Sequence, residues 1–154
     1  MRKEFHLAQV NIARAKGPMD SPVMRGFVDQ LDRINALADR SPGFVWRLQT
    51  EEGDATSLQV FDDERIIVNM SVWESLEALK SYVYAGEHLE LLKNKKSWFE
   101  KMPGPILALW WIPAGTIPTI DDAKRALRTL ETLGPSAEAF SFARSFPAPQ
   151  ALPA

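Results

Sequence analysis

Between Ile66 and Trp73 apolar side chains (Ile66, Val68, Met70, Val72) alternate with Ile67, Asn69, Ser71 and Trp73. A period of two commits the run to a strand with one apolar face and one face of amide, hydroxyl and indole groups. A helical pattern follows directly. Ser75 stands at an N-cap position, Leu76, Leu79 and Val83 share a face, and Tyr82, Tyr84 and His88 ride on the same segment. A polar strand face that runs into a helix bearing an imidazole reads as a pocket wall, and the other segments are to be arranged around it.

Phe5 to Ala13 alternates in the same way, with Phe5, Leu7, Gln9 and Asn11 on one face and His6, Ala8, Val10 and Ile12 on the other. Lys16-Gly17-Pro18 breaks that strand, and Ser21 before Pro22 starts a helix. Met24, Phe27, Val28, Leu31, Ile34, Leu37 and Ala38 give it an apolar stripe, and Ser41-Pro42-Gly43 ends it. A second strand spans Phe44 to Thr50, with Phe44, Trp46 and Leu48 opposite Val45, Arg47 and Gln49. Glu51 to Arg65 is an acidic connection whose middle, Ser57 to Phe61, reads as a short strand or a lid. Asp62-Asp63-Glu64 lacks the spacing of a calcium loop and reads as solvated surface.

Gly86 is expected to bend or split the central helix before a second apolar set, Leu89, Leu92 and Phe99. Ile106 to Ile112 is almost continuously apolar, as in a strand buried on both faces. Thr119 and Asp122 resemble a capping box at the start of the last helix, which carries Ala123, Ala126, Leu127 and Leu130 and closes at Gly134-Pro135. Phe140, Phe142 and Phe146 suit a packing arm. The chain thus reads as one domain over residues 1–146, with a proline-rich tail over 147–154 expected to fray.

The order β-α-β, long loop, β-α-β is the split βαβ arrangement. The expected fold is α+β, a ferredoxin-like four-stranded antiparallel sheet with helices on one face. Its other face also needs cover, because Trp46 or Arg47, Trp110 and Trp111 cannot all point at helices. A second copy laid sheet against sheet supplies it, so a homodimer is expected.

Charge and composition exclude several classes. A net charge of −2 and a pI near 5.7 give no basic field for nucleic acid. With zero cysteines there is no disulfide frame, thiol nucleophile or thiolate metal site. No segment approaches the roughly 20 apolar residues of a membrane span, and Met1 to Val10 lacks a signal-peptide core. A cytoplasmic protein without membrane contact is the expectation. Phosphate loops, nucleophile elbows and zinc motifs are absent, so no cofactor or metal is called.

Several stretches are similar to one family: Leu7 to Arg14 (LAQVNIAR), Ile34 to Gln49, Val68 to Ser75 (VNMSVWES), Leu109 to Thr119 (LWWIPAGTIPT), and the tail from Gly134 to Phe142. On them the chain resembles a bacterial family of uncharacterised proteins, domain of unknown function three-two-nine-one. The resemblance implies a dimeric α+β barrel, a superfamily holding cofactor-independent monooxygenases, haem-degrading monooxygenases, isomerases and lyases. In its haem-degrading branch an asparagine of the first strand, a helix aromatic and an axial histidine hold the haem. Asn11 and Tyr82 match the first two, but His88 comes about one turn early by the 3.6 period, with Leu92 in the ligand's place.

The candidate site follows. Histidine is the side chain whose ordinary ionisation lies near neutrality, so His88 is the candidate general acid or base. Asn11 and Arg47 are candidates to steady an oxyanion. Trp73, Tyr82, Asn69, Gln9 and Trp46 are candidates to bind substrate, and no metal ligands are assigned. The functional reading is a cofactor-independent monooxygenase or isomerase on a small aromatic or enolisable substrate. The alternatives are a non-catalytic small-ligand-binding or accessory dimer and, disfavoured by the helix register, a haem-binding or haem-degrading protein. Without a cofactor signature, oxygen chemistry rests on a substrate that forms a stabilised carbanion.

Overall fold

In the computed structural model, which describes residues 4–48, 65–84, 93, 95–102 and 104–149, the first alternating run forms β1 (Phe5–Ala15) at the centre of the sheet. β3 (Ile66–Trp73) pairs with it antiparallel from Leu7↔Trp73 to Arg14↔Ile66, and β2 (Phe44–Arg47) lies outside β3. β5 (Leu107–Pro113) pairs with the other edge from Phe5↔Pro113 to Asn11↔Leu107. The resulting order β2-β3-β1-β5, antiparallel throughout, interleaves two βαβ units and is ferredoxin-like, as expected.

β5 leaves the last residues of β1 uncovered on that edge, and unpaired backbone groups there would be costly. The two-residue strand β4 (Phe99–Glu100) takes the place, with Ala15↔Phe99 and Arg14↔Glu100. Phe99 is therefore in a strand and not in the helix the sequence suggested; α3 (Lys95–Trp98) stops just before it. Its ring meets Phe27 edge-on at 4.9 Å. Gly86, Leu89 and Leu92 lie outside the described residues, as does the acidic connection 51–64.

The helix starts are chemical. Ser21 and Pro22 open a short 3-10 turn (Pro22–Met24) that leads into α1 (Arg25–Arg40). The Ser75 hydroxyl accepts from the Ala78 amide at 3.1 Å to cap α2 (Leu76–Val83). At α4 (Ile120–Leu133) the capping box forms, Thr119 N–H donating to Asp122 Oδ2 at 2.8 Å and Asp122 N–H to Thr119 Oγ1 at 3.1 Å.

Strand alternation sorts the core into two faces. Ala8, Val10, Ile12, Val68, Met70, Val72, Ala108, Trp110 and Ile112 form one buried apolar face, and Ala123, Ala126, Leu127 and Leu130 of α4 pack into it. The sequence assigned its cover to a second copy; the structure finds a helix of the same chain there. Two alanines on the inner stripe of α4 let it seat closely. The opposite face carries α1 and α2. Helices therefore lie on both faces of the sheet.

The tail forms the arm that its phenylalanines suggested. Phe140 exchanges backbone hydrogen bonds with Leu109, at 2.8 and 2.9 Å, and its ring is fully buried. Trp111 Nε1 then donates to the Phe146 carbonyl at 2.9 Å.

Candidate small-molecule site

The face beneath α1 and α2 is built in three bands. At one end Leu7, Trp73 and Leu109 pack with Ala38, Leu79 and Phe140. At the other, Ala15 packs with Met24, Phe27 and Trp98, with Leu31 and Ile67 against them. Between these apolar clusters lies a polar belt of Gln9 and Asn11 from β1 and Asn69 and Ser71 from β3, neighbours by register (Gln9↔Ser71, Asn11↔Asn69). Because α1 gives Phe27 to one cluster and Ala38 to the other, its length spans the belt.

Buried amides and hydroxyls need partners, and the belt supplies its own. Gln9 Nε2 donates to Asn69 Oδ1 at 2.7 Å and to Ser71 Oγ at 2.8 Å. Trp73 Nε1 also donates to Ser71 Oγ at 2.8 Å. Exposure rises along the belt: Trp73, Gln9 and Ser71 are buried, Asn11 is half-buried and Asn69 is exposed. The belt thus runs from a dry end to an open one.

The dry end is aromatic. Tyr82 stacks on Trp73 with centroids 5.0 Å apart and planes 27° apart, and Phe44 meets the same indole edge-on at 5.4 Å. Trp73 therefore shapes the end of the site as packed core and reaches the belt through its N–H.

Arg47 arrives from β2 opposite Ser71. Its guanidinium grips Asp39 at the end of α1 with two nitrogens, Nε to Oδ1 at 2.8 Å and Nη2 to Oδ2 at 3.4 Å. Its side chain is 13% exposed against 45% for Asp39, so the carboxylate stands on the solvent side of the pair. Tyr82 feels both groups. Burial pushes its phenol well above the ordinary range, Arg47 pulls it down, Asp39 pushes it up, and burial dominates. At neutral pH Tyr82 is a neutral phenol, whose Oη lies 3.4 Å from the Ile34 carbonyl.

Of the residues singled out from the sequence, Gln9, Asn11, Arg47, Asn69 and Trp73 lie in adjacent strand registers, and Tyr82 packs onto Trp73 from α2. Trp46 does not. A β-bulge at Val45 puts Phe44 opposite Trp73 but Trp46 opposite Val72, so Trp46 turns to the apolar face and packs against the α4 cluster. That corrects the single alternation read for Phe44, Trp46 and Leu48. His88 and Gln49 lie outside the described residues. Among the described residues no group of His, Cys, Asp and Glu is arranged to hold a metal ion, and no helix is long and apolar enough to cross a membrane.

Two residues of the site were not picked from the sequence. Ser71 was visible on the polar strand face but unranked, because its tie to Trp73 and Gln9 exists only across strands. Asp39 gave one signal, an acid in the last turn of the helix that precedes the strand bearing Arg47.

The order of strands and the split βαβ units define a ferredoxin-like α+β protein, here with a polar belt under its paired helices. The chain belongs to the family described as Domain of unknown function (DUF3291), whose model matches residues 6–154. No curated protein matches it. Among solved structures it is similar to a single-site variant of SnoaB, a cofactor-independent oxygenase from Streptomyces nogalater. That match has 18% identity and a TM-score of 0.48 and covers 74% of this chain and 98% of that one. It is also similar to a candidate antibiotic biosynthesis monooxygenase from Nitrosomonas europaea (14% identity, TM-score 0.49, covering 77% and 97%). PA3566 from Pseudomonas aeruginosa gives 10% identity and a TM-score of 0.49, covering 74% and 98%.

Proposed function

We propose that the chain is an enzyme of the cofactor-independent monooxygenase or isomerase kind, acting on a small aromatic or enolisable substrate. The observation that carries this reading is the belt itself. A network of amide, hydroxyl and indole groups is held between two apolar clusters, with Arg47 opposite Ser71 in register and its guanidinium paired to Asp39. Such a site can bind a flat apolar body and fix its oxygen with oriented donors.

In this proposal Asn11 and Arg47 steady negative charge as it develops on the substrate oxygen. Trp73 and Tyr82 bound the apolar end, and Gln9 and Asn69 hold the donors in place. His88 takes the proton from carbon. In the isomerase form the proton returns to another carbon. In the monooxygenase form the carbanion reduces dioxygen, so that a CH2 group becomes C=O, one oxygen atom is kept and the other leaves as water. Assembly as a homodimer is part of the same proposal, and so is a cytoplasmic setting.

The test is exchange of the α-carbon hydrogens of α-tetralone in deuterium oxide, followed by proton NMR. The enzyme reading expects acceleration by the wild-type protein and a loss of about 10²–10⁴-fold in His88→Ala, the usual worth of a general base. A non-catalytic binder would retain the ketone in both proteins and accelerate exchange in neither.

A further inference from the structure

We propose that Ser71 donates a hydrogen bond to a carbonyl or enolate oxygen of the ligand, in a direction dictated by Gln9 and Trp73. This rests on the reading of the belt as a small-molecule site and names the oxygen function its ligand must carry. A hydroxyl has one hydrogen to give and two lone pairs. An indole N–H can only donate, so Ser71 Oγ must accept from Trp73. The second lone pair is taken by Gln9 Nε2, whose other hydrogen goes to Asn69 Oδ1.

Both lone pairs being occupied, the hydrogen is what Ser71 has left to offer. Its side-chain bonds among the described residues are those two, and both are accepted. Arg47, opposite in register, carries only donors and cannot receive the hydrogen. A hydroxyl at a residue only 6% exposed that keeps its hydrogen unbound forfeits the free energy of a made bond. An acceptor oxygen entering from the Asn69 end completes the network. A neutral or anionic oxygen conjugated to a flat ring satisfies it, while the same ring without oxygen does not. The donor also strengthens as charge gathers on that oxygen.

The test compares α-tetralone with tetralin, its analogue lacking the carbonyl oxygen, by calorimetric titration of the full chain. The wild type is expected to prefer the ketone, and Ser71→Ala to reduce that preference, the ratio of ketone to tetralin affinity, about 10-fold, the worth of one buried hydrogen bond. Gln9→Glu gives an independent arm. A carboxylate at that position takes the Ser71 hydrogen for itself, so ketone preference is expected to collapse although the hydroxyl remains. The carbonyl stretch of bound α-tetralone should lie lower in the wild type than in either variant.

An unchanged preference for the ketone in Ser71→Ala, in protein whose near-ultraviolet dichroism matches the wild type, overturns the assignment of Ser71 and leaves the site intact. If Ser71→Ala does not fold, Gln9→Glu decides: retained ketone preference overturns the assignment. Binding of neither compound by the wild type overturns both the assignment and the proposed function.

Discussion

Each polar side chain of the belt is constrained by what its neighbours can accept. Trp73 fixes Ser71, Gln9 bridges Ser71 to Asn69, and Arg47 is held by Asp39. Tyr82 adds a measurable consequence. Its folded-state ionisation lies above the unfolded value near 10, so the folded state holds the phenol proton more firmly than the unfolded chain does. The corresponding stability is fully present below about pH 10. It is lost as pH climbs from there through the folded value. Tyr82→Phe is expected to flatten the alkaline limb of urea-denaturation midpoints; an identical limb in both proteins would contradict the burial of that hydroxyl. Asp39→Asn, at the solvent side of its pair, should change stability by no more than about 1 kcal/mol, with a difference that shrinks as salt is raised in thermal melts.

At the scale of elements, local chemistry decides where helices and turns begin. Thr119→Ala removes the oxygen that caps α4 and is expected to cost about 1 kcal/mol in urea unfolding. Gly43 has φ of +82°, and a Cβ there would come within 2.5 Å of the Ala78 Cβ. Gly43→Ala should therefore destabilise by more than about 1 kcal/mol, lowering the denaturation midpoint. The capping pair and the break at Ser41-Pro42-Gly43 were legible in the sequence, since such signals act over a few residues; the approach of Gly43 to Ala78, distant along the chain, was not. The faces of β1 and β3 were legible too, because a period of two leaves no freedom once one face is apolar. The bulge at Val45 was not legible, and it turned Trp46 to the face opposite the belt. Phe99 was misplaced for a related reason: helical spacing cannot register an uncovered stretch of a strand far away in sequence.

For the whole molecule, the arrangement of strands followed from the order of elements, but the cover of the apolar face did not. Nothing in the amphipathic stripe of α4 says which surface it will bury, and the structure sends it to the face opposite α1 and α2. The belt residues all come from one chain, so ligand binding is expected to be independent of protein concentration, a point that dilution in the calorimeter checks. Light scattering tests assembly: the proposed homodimer should give about twice the 17.3 kDa of one chain. The most direct measurement for the site is α-hydrogen exchange of α-tetralone by wild type, Asn11→Ala and Trp46→Phe side by side. A belt that does chemistry requires Asn11→Ala to fall by about 10²-fold or more and Trp46→Phe, on the opposite face, to match the wild type. Equal rates in all three, or exchange no faster than in buffer, would contradict it.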